Sequence, residues 1–140
     1  MEQRDYLMRE IERMSQILAK LIGKVIGLNP VNYEVEIKKI NNVLSSEFGF
    51  ELEELEGIDS SKFTEIIKNI DKSNIELLLK LLSEIIDKII ELEKDNKYNI
   101  NDLCKKAILI IDQIDNKTKT FSMERMKVKT RLKGLIKVEN

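Results

Sequence analysis

Apolar residues recur at Leu7, Ile11, Met14, Leu18, Leu21, Val25 and Leu28, in steps of 4, 3, 4, 3, 4 and 3. An unbroken heptad seam of this kind must be buried against another helix. It predicts a helix over 5–26, ended by Gly27 at the C′ position and by Pro30 soon after. Ile17, Ile22 and Ile26 flank the seam as a second apolar set. One set can face the chain's own core and the other a partner, or both can be core. Gly23 inside the helix costs about 0.5–1 kcal/mol relative to Ala, so a close helix crossing is expected there. The Gly23–Gly27 spacing imitates a membrane dimerisation motif, but Lys20 and Lys24 around it argue against that reading.

Five further helices follow from the same pattern. The second starts near Asn32, a good N-cap residue, and ends at Gly49, with Val35, Ile37, Ile40, Val43 and Leu44 facing the core. The acidic stretch 51–56 is a short helical turn. Ser60 or Ser61 caps a third helix that buries Phe63, Ile66, Ile67 and Ile70. Ser73 and Glu76 read as a capping box for the fourth. Over 75–92 its polar residues Glu76, Lys80, Ser83, Glu84, Asp87, Lys88 and Glu91 form one stripe, and the rest is Leu or Ile. A narrow wet face and a broad dry one place this helix at the centre of the fold. Residues 95–99 reverse the chain. A fifth helix over 101–114 packs with Leu103, Cys104, Ala107, Ile108, Ile111 and Ile114. A sixth over 120–138 packs with Phe121, Val128, Leu132 and Leu135. Short loops between helices favour antiparallel neighbours.

The expectation is therefore an all-α fold of about six helices, a single domain over 1–140. It is an antiparallel bundle with a long N-terminal helix (1–28) and a helical hairpin core (73–138). The fourth and fifth helices also have the length and spacing of a tetratricopeptide unit, with Cys104 at a small-residue position and Asp115–Asn116 near the turn.

Composition narrows the chemistry. The chain of 140 residues has no His and one Cys. No Ser–His or Cys–His pair, imidazole base or imidazole metal ligand can form, and Cys104 alone cannot build a zinc site. There is no glycine-rich phosphate loop. Glu51, Glu53, Glu54, Glu56 and Asp59 lie close together, but their spacing does not match a calcium loop. No catalytic residue, cofactor or metal is expected, and Cys104 reads as core packing. The N-terminus lacks a continuous apolar signal region and no stretch is long and apolar enough to span a membrane, so a cytoplasmic location is expected.

The net charge of −1 conceals segregation. Residues 47–95 carry 14 acidic and 6 basic side chains, and residues 117–140 carry 2 acidic and 8 basic ones. Arg125, Lys129, Lys133 and Lys137 recur at i+4 on one face of the sixth helix, with Lys127 and Arg131 beside them. Like charges so spaced destabilise an isolated helix by about 0.2–0.5 kcal/mol per pair. Either the acidic middle, nearest at Glu51 to Glu56, or a polyanion offsets the repulsion. Nucleic acid is the less favoured partner, because no aromatic residues interleave and the chain is not basic.

Residues 4–12 (RDYLMREIE) and 120–125 (TFSMER) resemble a family of short uncharacterised bacterial helical proteins, a domain of unknown function. The resemblance implies a helical, partly tetratricopeptide-like fold and carries over no catalytic residue. The leading expectation is a non-enzymatic protein–protein interaction or scaffold module. It is homodimeric through the seam Leu7, Ile11, Met14, Leu18, Leu21 and Val25. The alternative is polyanion binding through Arg125, Lys129, Lys133 and Lys137.

Overall fold

A computed structural model of the chain describes residues 2–94, 98–120 and 122–137. Its elements are α1 (Glu2–Ile26), α2 (Tyr33–Phe48), a 3-10 turn (Leu52–Glu56), α3 (Ser60–Lys68), α4 (Lys72–Glu91), α5 (Ile100–Thr118) and α6 (Met123–Leu135). Among the described residues there is no strand. The fold is all-α, a helical bundle, as the periodicity requires. Phe121, Val138, Met1 and residues 95–97 of the expected reversal lie outside the described residues.

The dry face of α4 organises the core. Ile75, Leu78, Leu79, Leu81, Leu82, Ile85, Ile86 and Ile89 are all buried, and each such side chain contributes about 1.5–3 kcal/mol on burial. The most extensive packing is between α4 and α1. Loop length did not foretell its direction. The Asn74 amide donates to the Ile11 carbonyl at 3.0 Å, and Lys88 Nζ donates to the Leu28 carbonyl at 3.3 Å. Low numbers meet low numbers, so α1 and α4 are parallel. α2 runs back antiparallel to α1, with Arg13 paired to Glu47 near one end and Lys24 to Glu36 near the other. α5 runs antiparallel to α6: Arg125 meets Asp115, Lys129 meets Asp112, and the Lys137 amide donates to Asn101 Oδ1. α6 lies parallel to α4, where Arg125 reaches Glu76 and Arg131 reaches Asp87.

The helix ends differ from the expected ones in instructive ways. Asp71, not Ser73, caps α4: its carboxylate accepts from the Ser73 amide at 3.1 Å and from the Ser73 hydroxyl at 2.6 Å. Asp59 does the same for α3 through Ser61, so the capping residue in both helices is the Asp that precedes the expected serine. A carboxylate near a helix N-terminus also gains from the macrodipole, which a hydroxyl does not. Both carboxyls are held below their ordinary value by these hydrogen bonds. Asn32 occupies the N-cap position of α2 without a side-chain cap. It instead knits the turn with Asn29, its Oδ1 accepting from the Asn29 amide and its Nδ2 donating to the Gly27 carbonyl. Gly49 ends α2 in the left-handed region at φ 80°, as a C-terminal glycine should.

Other expectations are corrected. Gly23 makes no close crossing: a Cβ there would meet nothing within 4 Å. Val35 is exposed rather than core. α5 continues past Ile114 to Thr118, so Asp115 and Asn116 are helical and the turn falls at Lys119. α6 is shorter at both ends than 120–138. The acidic stretch 51–56 forms the expected short helical turn, with Leu52 and Leu55 buried and Asn41 Oδ1 accepting from the Leu52 amide at 3.0 Å.

Candidate interaction surfaces

The heptad seam is divided by the packing of α1. Leu18, Leu21, Val25 and Leu28 are buried. Ile11 and Met14 are half-buried. Leu7 is 59% exposed, and its neighbours Tyr6 and Met8 are exposed to a similar degree at 61% and 60%. The break has a geometric cause. Because α1 and α4 are parallel with Ile11 level with Asn74, residues 2–10 run past the first turn of α4. At 1.5 Å per residue that overhang is about 13 Å long. The second apolar set is divided as well: Ile22 is buried, Ile17 half-buried and Ile26 exposed.

Beside the overhang lies an open groove of about 480 Å³, lined by Leu7, Ile11 and Met14 of α1, Phe48 at the end of α2, and Ile66 and Ile70 near the end of α3. Its wall is firm. Arg13 grips Glu47 through two parallel hydrogen bonds of 3.0 and 3.1 Å, which locks α1 to α2 beside it. The guanidinium holds the Glu47 carboxyl below its ordinary value, against a smaller opposing effect of burial. Ser15 bonds to Asn74, which also lines the groove and holds the Ile11 carbonyl. A single buried polar residue thereby fixes where α1 leaves α4.

The basic helix presents a different surface from the one its sequence suggests. Arg125 is only 13% exposed, with Nε 2.8 Å from Asp115, Nη1 2.9 Å from Glu76, and Nη2 donating to the Thr120 carbonyl. Lys129 Nζ sits 2.8 Å from Asp112. Arg131 hydrogen-bonds Asp87 and Ser83. Lys133 and Lys137 are exposed. The four residues at i+4 are thus two cations engaged inside the fold and two facing solvent. Their counter-charges come from α4 and α5, not from Glu51 to Glu56. Sequence proximity gave no guide, because the pairing depends on α6 lying between two helices.

One polar cluster was not anticipated. The Tyr98 hydroxyl donates to Glu53 at 3.1 Å, and the Glu53 carboxylate also faces the Asn41 amide. Tyr33 is fully buried, with no hydrogen-bond partner for its hydroxyl among the described residues. Lys94 lies 5.1 Å from the centre of its ring. Burial raises the pKa of both phenols, so both stay neutral. The three-way spacing of Tyr33, Glu53 and Tyr98 carries no periodic signal by which it could have been found.

Cys104 is fully buried and its thiol is pushed up to about 11, chiefly by burial. It is poorly reactive in this state, since the thiolate is the nucleophile. Among the described residues no group of three or more His, Cys, Asp or Glu could hold a metal ion. No helix is long and apolar enough to cross a membrane among those residues.

The architecture and surfaces define an all-α helical bundle with an overhanging N-terminal helix. No protein-family model, curated protein or solved structure matches the chain.

Proposed function

We propose that this protein is a non-enzymatic interaction module that self-associates through the first three turns of α1. The observation that carries the reading is the heptad seam itself. It continues unbroken past the end of the core, so that Leu7 stands exposed in register with buried Leu21 and Leu28. Solvent-exposed seam positions on a rigid helix suit a partner helix, which would complete the burial that α4 begins at Ile11. A second copy fits the charge pattern of the overhang, where Glu2, Arg4, Asp5, Arg9 and Glu10 mix both signs. In an antiparallel pairing centred on Leu7, Arg4 of each copy stands level with Glu10 of the other.

Light scattering at low micromolar concentration tests this. The wild-type chain is expected to have the mass of a dimer. Leu7→Asp is expected to give a folded monomer, since Leu7 contributes little to the core. Leu18→Asp is expected to unfold the chain instead. A wild-type monomer, or a dimer indifferent to Leu7→Asp, would refute self-association through this helix.

A further inference from the structure

The forces that hold α6 set it apart from the rest of the bundle. Only Leu132 of its residues is fully buried, while Val128 and Leu135 are half-buried. Among the described residues its other attachments are mainly ionic and polar: Arg125 to Glu76 and Asp115, Lys129 to Asp112, Arg131 to Asp87 and Ser83, and, just past its end, the Asn101–Lys137 pair of hydrogen bonds. The connection from α5, residues 119–122, opens on Lys119, a non-glycine residue in the left-handed region at φ 53°, a conformation uncommon for residues other than glycine. On α5, the residues that meet α6 recur at helical spacing: Asn101, Asp112 and Asp115 by direct bonds. Cys104 and Ile108 fall on the same stripe, between Asn101 and Asp112. Cys104 is fully buried on this stripe.

We propose that α6 is a releasable strap. It swings away as a unit about Lys119 while α1 to α5 stay folded, and in doing so it uncovers the Cys104 thiol and the apolar stripe of α5 beneath it. Ion pairs at this level of exposure weaken as salt rises, because the screening length falls from about 10 Å at 0.1 M to about 3 Å at 1 M. Local openings of this kind draw on the least apolar part of a fold. The release is independent of what α1 binds.

The single thiol makes the strap observable. Wild-type protein is treated with a disulfide-based thiol reagent, 5,5′-dithiobis(2-nitrobenzoic acid), at 0.1 M and 1 M NaCl, with hydrogen exchange of the α6 and α4 peptides followed in parallel. Cys104 labelling is expected to quicken about tenfold between the two salt concentrations, and α6 amides to exchange together and ahead of α4. Arg131→Ala is expected to give fast labelling already at 0.1 M. Labelling that salt leaves unchanged and that follows only global unfolding by urea would overturn the proposal, as would exchange of α6 in step with α4. Because the salt series uses the wild-type chain, the test survives a variant that fails to fold.

Discussion

Nine of the twenty residues of α4 are buried, against one of the thirteen of α6, although the two helices lie parallel in the same bundle. α4 is held by Leu and Ile side chains on two sides, so its attachment is insensitive to ionic strength and spread over many contacts. α6 is held by three basic side chains reaching carboxylates on α4 and α5, with Leu132 as its one deep anchor. The ion pairs offset the repulsion built into an i+4 run of cations, yet partly exposed pairs contribute little beyond that. One bundle therefore contains a helix whose loss means unfolding and a helix whose loss need not.

Five substitutions sharpen or break this contrast. The largest effect is expected at Ile86, fully buried in α4: Ile86→Ala should cost about 2–5 kcal/mol in urea denaturation. Leu132→Ala removes a side chain that is equally buried, but its effect on global stability should be less than about half as large, because α6 can detach first. Equal losses would mean that α6 belongs to the cooperative core.

Next comes the cap of α4. Asp71→Ala should cost about 1 kcal/mol at neutral pH. Its carboxyl and those of Glu47 and Asp59 are lowered in the folded chain from ordinary values of 3.8, 4.5 and 3.8 respectively. A carboxyl lowered by folding contributes stability that is complete above its ordinary value and is lost as pH falls through the folded one. Wild-type stability should thus be flat from neutral pH to about 5 and decline below about 4.5. In Asp71→Ala that decline should be shallower, as read from urea midpoints across the pH range.

A smaller effect is expected at Arg131. Arg131→Ala should lower global stability by no more than about 1 kcal/mol while reducing the salt dependence of α6 protection in hydrogen exchange. The smallest is a gain. Gly134 is helical and a Cβ there would meet nothing within 4 Å, so Gly134→Ala should stabilise α6 by about 0.5–1 kcal/mol. The gain should appear as slower exchange of α6 with little change in the global unfolding midpoint. A shift in that midpoint as large as the gain itself would again place α6 inside the core.

Much of this was legible in the residues. The periodicity of Leu18, Leu21, Val25 and Leu28 located the buried face of α1, and the stripe from Glu76 to Glu91 correctly marked α4 as central. Gly49 ended α2 where a left-handed residue is needed. The capping aspartates are not separable from the nearby serines by sequence, because Asp71 and Ser73 both fit the N-cap preference and only the turn geometry distinguishes them. Of the candidate surfaces, the charge run of α6 was evident, but which cations are engaged was not. Arg125 and Lys129 face carboxylates that are 49 and 17 residues away in the chain, a distance at which sequence spacing says nothing about contact. The exposure of Leu7 is equally hidden, since its place in the seam is the same as that of buried Leu21.

By itself the sequence determined the elements: helices with one apolar face, the breaks between them, and the absence of imidazole chemistry. These depend on neighbours within a turn or two, which the order of residues specifies directly. Only the tertiary structure decided that α1 lies parallel to α4, that it overruns the core by two to three turns, and that α6 is pinned between carboxylates of two helices. Those outcomes depend on how far one helix slides along another before its side chains interlock, and on lateral contacts between segments far apart in the chain. An amphipathic pattern states that a face must be covered; packing alone selects the surface that covers it and the turn at which the cover ends.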